Sequence, residues 1–226
     1  MLQTKSEINK PIWSDISAVG IIVSVLGIIL GISGMCHGFF EALQGNTPTD
    51  GLIIHAIGEA NRMWVYGNEP AFTLIPNFLI TGIAAIIVSI AAIIWSVGFI
   101  HKKSGPLVFL LLFILLFLVG GGIGQIIFFT LGWAFSTRIN KPLTWWRRVL
   151  PGSVRRVLAK LWLLCLAVSS LSLLFALEIA VFGFVPGVND PDLTTIVMLS
   201  SLGVVLVFII PAFISGLAHD IGKQES

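Results

Sequence analysis

The sequence predicts an all-α, polytopic integral membrane helix bundle, and three observations carry that prediction. Hydrophobic residues fill 56% of the 226 positions and charged residues only 11%, at a mean hydropathy of +1.00. A water-soluble fold needs polar residues to cover its surface, so this chain needs lipid as its cover. Five apolar stretches are each long enough for the roughly 20 residues that cross about 30 Å of hydrocarbon. The basic residues, finally, collect on one side of those stretches if the third one doubles back.

Taken in order, residues 1–15 form a polar N-terminal tail. The first apolar stretch, Ile16 to Leu43, is longer than a signal-peptide core and ends without a small-x-small cleavage pattern, so it reads as a retained span. Residues 44–78 follow as an outer interfacial segment. Within it, Asp50 to Arg62 has an apolar side and is expected as a short helix lying in the interface, where Glu59 can pair with Arg62. Pro76-Asn77 start the second span, about Leu79 to Ile100. The third stretch, Pro106 to Phe135, holds Gly120-Gly121-Gly122-Ile123-Gly124 at its middle. A basic loop, 137–160, leads to the fourth stretch, about Leu158 to Val185. The fifth runs from about Thr195 to Ala218, with Pro211 expected to kink it. The whole chain, 1–226, reads as a single transmembrane domain.

The third stretch decides the topology. As one tilted helix it gives five spans, and Arg62, the basic residues from Arg138 to Lys160 and Lys223 face Lys5, Lys10, Lys102 and Lys103 across the membrane. Turned back at the glycine run, it gives about six membrane segments and leaves Arg62 alone outside. The positive-inside rule favours that second arrangement. Each arm has only about 14 residues, roughly 21 Å of helix. The pair is therefore a thinned hairpin or a re-entrant pair whose turn other parts of the protein cover. N- and C-termini are then both cytoplasmic. The acids sort the opposite way: Glu41, Asp50, Glu59, Glu69, Glu178, Asp190 and Asp192 lie outside, which draws cations to that face. Glu7, Asp15, Asp220 and Glu225 stay inside.

Span one places Gly27, Gly31, Gly34, Gly38 and Glu41 on one stripe, and span two places Gly82, Ala85, Ser89, Ala92 and Ser96 on another. Small residues allow close backbone approach, the main association signal between membrane helices. The stripes are expected to face each other or a common neighbour.

One spacing that could carry chemistry occurs twice. His37 and Glu41 are four apart, as are His55 and Glu59, so on helices each pair shares a face. Glu41 continues the glycine stripe and His37 lies beside it, both pointing into the bundle near the outer boundary. Glu178 lies in the outer third of its own span. These five residues form a candidate ligand- or proton-binding cluster, and His37, Glu41 and Glu178 offer mixed nitrogen and oxygen ligands to a divalent metal. No HExxH or CxxC pattern reinforces that set. The glycine run lacks the Lys-Ser/Thr and the preceding strand of a nucleotide loop, while Gln125 places a buried amide beside it. Trp145 and Trp146 next to Arg147 and Arg148, with Arg155 and Arg156 beyond, suit the headgroup layer of an inner leaflet rich in anionic lipid. Cys36 and Cys165 lie at different depths, too far apart for a disulfide.

The basic residues sit against membrane segments rather than in a free basic domain, so nucleic acid is not expected as a partner. The segments HGFFEALQGNTPTDG and TRINKPLTWWRR resemble stretches of prokaryotic membrane proteins, which implies a prokaryotic plasma membrane and no particular activity. Three functional classes remain. The leading one is a non-catalytic component, either a subunit of a homo- or hetero-oligomer or a lipid-interacting protein. A cation or proton-coupled transporter or channel comes second, and a metal-assisted intramembrane enzyme third.

Overall fold

The computed structural model describes residues 17–225. Lys5, Glu7, Lys10 and Asp15, and with them the tail 1–15 and its side of the membrane, lie outside the described residues. The architecture is an all-α membrane bundle of seven helices with one small sheet: α1 (Ala18–Leu43), β1 (Ile53–His55), β2 (Pro70–Thr73), α2 (Phe78–Gly98), α3 (Gly105–Leu118), β3 (Val119–Gly122), α4 (Gln125–Ser136), α5 (Thr144–Val149), α6 (Gly152–Phe182) and α7 (Pro191–Glu225). Four of these, α1, α2, α6 and α7, are long and apolar enough to cross a membrane. Helix α1 packs against α2, α4, α6 and α7, and α6 pairs along its length with α7.

The third apolar stretch doubles back. Its arms, α3 and α4, have 14 and 12 residues. Beyond the far end of α4, Asn140 adopts a left-handed conformation (φ 58°) and donates from Nδ2 to the His101 carbonyl at 3.1 Å. That bond ties the end of α4 to the loop before α3, so both ends of the pair lie on one side of the bundle. Phe113 of α3 stacks on Phe129 of α4 between the arms, with Phe109 tilted against Phe113.

The turn of the pair is a strand. Residues 119–122 pair antiparallel with β2, which pairs antiparallel with β1, in the order β1-β2-β3. A backbone that leaves the helix inside a membrane must find partners within the protein. Here β2 provides them, and Leu74 N–H also donates to the Leu118 carbonyl at 2.9 Å. A relay of hydroxyls secures the junction: Ile75 N–H donates to Thr73 Oγ1 (3.0 Å), and Thr81 Oγ1 donates to the Val119 carbonyl (2.8 Å). Thr81 has given its one proton away, so Thr73 is the donor in the 2.6 Å bond between the two hydroxyls.

Residues 50–62 differ from the expected interfacial helix. They form β1 and a single 3-10 turn at Glu59–Asn61. The short apolar run Leu52-Ile53-Ile54 fits helix or strand equally well, and pairing with β2 decides it. At the opposite end, the predicted loop 137–160 holds α5 and the start of α6, which begins at Gly152.

Charge follows the two ends. Every described Lys and Arg except Arg62 lies at or near the end opposite the sheet, together with Asp220 and Glu225; the other described acids lie at the sheet end. The glycine stripe of α1 lies against α2. Cβ atoms at Gly27, Gly34 and Gly38 would meet Ser96, Ser89 and the Gly82 carbonyl, and one at Gly31 would meet Ile93. Ala85 and Ala92 are buried along the same seam.

Candidate functional site

The glycine strand covers the polar end of α1. Four residues of helix rise about 6 Å, and two residues of strand about 6.7 Å. The pair His37 and Glu41 therefore matches the pair Gly120 and Gly122, which point to one face of β3. A Cβ at Gly120 would strike the Glu41 carboxylate, and one at Gly122 would lie 2.9 Å from His37 Nε2 and Cε1. A Cβ at the intervening Gly121 would instead meet Leu116. Gly120 also has φ 112°, a conformation that L side chains rarely adopt.

Burial here is extreme. Glu41 is 0% exposed and His37 6%. Neither carboxylate oxygen of Glu41, nor His37 Nδ1, has a hydrogen-bond partner among the described residues. The other imidazole nitrogen, Nε2, faces Glu69 Oε2 at 3.6 Å, and the Glu69 side chain is 28% exposed. That separation is beyond a hydrogen bond and is an ion pair only when the ring is protonated. A buried carboxylate with no partner is among the most costly groups a membrane protein can hold.

Two adjoining cavities reach this polar end. One of about 310 Å³ lies between α1, α4, α6 and α7; His37, Glu69, Ser33 and Gln125 form its polar end, and Leu173, Leu202 and Leu206 its apolar wall. Gln125 Nε2 donates to Ser33 Oγ at 3.2 Å within it. The other, of about 190 Å³, lies between α1 and α6 and adds Cys36 and Glu178. His37, Glu69, Ser33 and Leu177 line both. Glu41 lines neither of the two.

The structure thus brings together part of the cluster expected from sequence. His37 and Glu178 share a cavity, while Glu41 is sealed off beneath β3. His55 is exposed on β1, and Glu59 is exposed on the 3-10 turn, so they share no helix face and stand apart from the site. His37, Glu41 and Glu178 do not converge as ligands: among the described residues no group of three or more His, Cys, Asp or Glu is arranged to hold a metal ion. Glu69 belongs to the site and was not singled out by sequence. It lies in a loop, and only the pairing of β2 with β3 carries it to α1.

At the opposite end, Asp220 of α7 caps α1. It accepts from Ser17 Oγ (2.5 Å), Ala18 N–H (2.7 Å) and Val19 N–H (3.2 Å). Arg147 and Arg155, expected to face lipid headgroups, both bind Glu225, at 3.3 and 2.7 Å. Arg148 and Arg156 are exposed, and the Trp145 and Trp146 rings meet edge to face, with Trp146 against Phe135. A cavity of about 490 Å³ opens at this end, lined by His101, Lys102, Lys103, Lys141, Thr137 and Asn140, with Pro106, Leu107 and Trp133 on its apolar side.

Comparison with protein-family models, curated proteins and solved structures found no match.

Proposed function

We propose that this helical membrane protein is a non-catalytic, lipid-interacting component of a prokaryotic plasma membrane, with its basic end in the cytoplasm. The observation that carries the reading is the cavity at that end. Three lysines and a histidine stand on its polar side, no acid lines it among the described residues, and its apolar side continues onto α3. Those features suit a phosphodiester headgroup whose acyl chains run along Leu107 and Leu111, both exposed on α3. Each lysine near an anionic surface contributes about 1 kcal/mol. Arg148, Arg156 and Trp145 extend the same headgroup surface.

The test is lipid retention by the purified protein, read by native mass spectrometry after reconstitution in mixed anionic and zwitterionic lipid. Wild type is expected to keep anionic lipid selectively, and the Lys102→Gln/Lys103→Gln/Lys141→Gln variant to lose that selectivity while keeping its fold. Equal retention by the two proteins contradicts the reading. Reporter tags after Ser226 and in the Lys102-Lys103 loop are expected on the cytoplasmic face; tags on opposite faces overturn the orientation.

A second reading, coupled movement of a cation or proton, draws its support from one observation, the unpartnered carboxylate of Glu41 in an acid-rich end of the bundle.

A further inference from the structure

We propose that the Glu41 carboxyl beneath Gly120 is a proton-binding site, reached from the cavity end where His37 faces Glu69. It is independent of lipid binding at the opposite end and deepens the second reading, resting on the same unpartnered carboxylate.

A carboxylate removed from water is tolerated when a base pairs with it, when donors surround it, when a metal holds it, or when it carries a proton. No donor contacts Glu41 among the described residues. Helices α2, α3 and α4, and strands β2 and β3, contain no Lys, Arg, Asp or Glu. Arg62, the basic residue of that end, is exposed on the outer loop. Metal-ligand geometry is likewise missing there among the described residues. The proton is the ligand left, and it is the one small enough to fit under a strand that has no room for a methyl group.

The titratable groups around the site are few. His37 shares the face of α1, with the Cys36 thiol beside it; Glu69 approaches from the loop before β2; Glu178 approaches from α6 across the smaller cavity. His55 is on the far strand of the sheet and exposed. His37 is the link. It lies one helical turn from Glu41, and its Nε2 is 3.6 Å from Glu69 Oε2. A proton passing from Glu69 to Nε2 leaves a carboxylate and an imidazolium. His37 Nδ1 and both Glu41 oxygens are buried, and each lacks a hydrogen-bond partner among the described residues. With the two side chains swung into reach, loss of the Nδ1 proton to Glu41 restores a neutral ring and leaves a neutral acid.

The experiment is infrared spectroscopy of the full chain in proteoliposomes over a pH series. The expected result is a carboxylic-acid C=O band, at the high frequency of an acid without hydrogen bonds, that is present at acidic pH, shifts on exchange into D2O and is missing from Glu41→Gln, a neutral near-isostere. Its intensity should fall about tenfold per pH unit once the site has largely emptied. Leu177→Trp, which narrows both cavities, should slow the D2O shift several-fold. In parallel, the thermal midpoint of wild type should drop as pH rises, while that of Glu41→Gln stays level. No such band at acidic pH, or a band that persists in Glu41→Gln, overturns the proton site. An unchanged exchange rate in Leu177→Trp overturns the route. The wild-type arms stand even if a variant does not fold.

Discussion

Gly120 lies so close over the Glu41 carboxylate that a methyl group at the glycine would strike both oxygens. The positive φ of 112° at Gly120 adds a second reason for glycine there. Gly120→Ala is therefore expected to destabilise by about 1–3 kcal/mol from backbone strain alone, and more from the clash. Gly124→Ala, where a Cβ has open space, should change stability by less than about 0.5 kcal/mol. Thermal unfolding in detergent reads the difference. Adding Glu41→Ala to Gly120→Ala should recover the clash and leave the strain, a coupling that a double-mutant cycle isolates.

The seam between α1 and α2 gives a second contrast. Cβ atoms at Gly38 and Gly82 would each press on the other glycine's carbonyl oxygen, at 2.6 and 2.5 Å. Gly38→Leu should force the helices apart at a cost of about 3 kcal/mol or more. Gly98→Ala, at the open end of α2, should be neutral or stabilise by up to about 1 kcal/mol. The same unfolding assay compares them, and equal losses would show that the seam does not depend on glycine.

Asp220→Ala removes the acceptor for two backbone N–H groups at the start of α1 and for the Ser17 hydroxyl. The expected loss is about 1–3 kcal/mol, larger than for an ordinary surface cap because the donors are largely buried. Hydrogen exchange at Ala18 and Val19 should accelerate while exchange at the sheet end stays unchanged.

Tyr66 is the chain's one tyrosine, so phenolate absorbance reports it alone. Its hydroxyl donates to Asp192 Oδ1 at 2.8 Å, and that bond, with the nearby negative charge, raises the phenol above its ordinary value. The neutral phenol is the form the fold favours. This contribution is complete below the free tyrosine's titration, near pH 10, and fades as pH rises through the higher folded midpoint. Asp192→Ala should move the absorbance midpoint down toward that of free tyrosine. An unmoved midpoint would separate the loop from α7.

Topology was legible because charge is costly to carry across lipid. The split of the basic residues, with Lys102 and Lys103 before the third stretch and Arg138 after it, favoured a turn at the glycine run over a single tilted helix. The small-residue stripes were legible because helical periodicity puts Gly27 to Gly38 on one line. The sheet was not. β2 and β3 are separated by a complete membrane span, and neither Pro70-Ala71-Phe72-Thr73 nor Val119-Gly120-Gly121-Gly122 shows an alternating pattern. Without the sheet, Glu69 had no route to His37, and His55 and Glu59 looked like a copy of the helical pair. Asp220 escaped notice for a similar reason, since its donors are about two hundred positions away in sequence.

The pairing of β2 with β3 also bears on biogenesis. Arms of 14 and 12 residues, about 21 and 18 Å as helix, are poor candidates for insertion one at a time. Synthesis delivers residues 70–73 first, so a template is already waiting when the glycine run emerges. The two half-length helices are then expected to enter as a docked unit, so that a lesion in the earlier loop surfaces as a failure to integrate a segment made later.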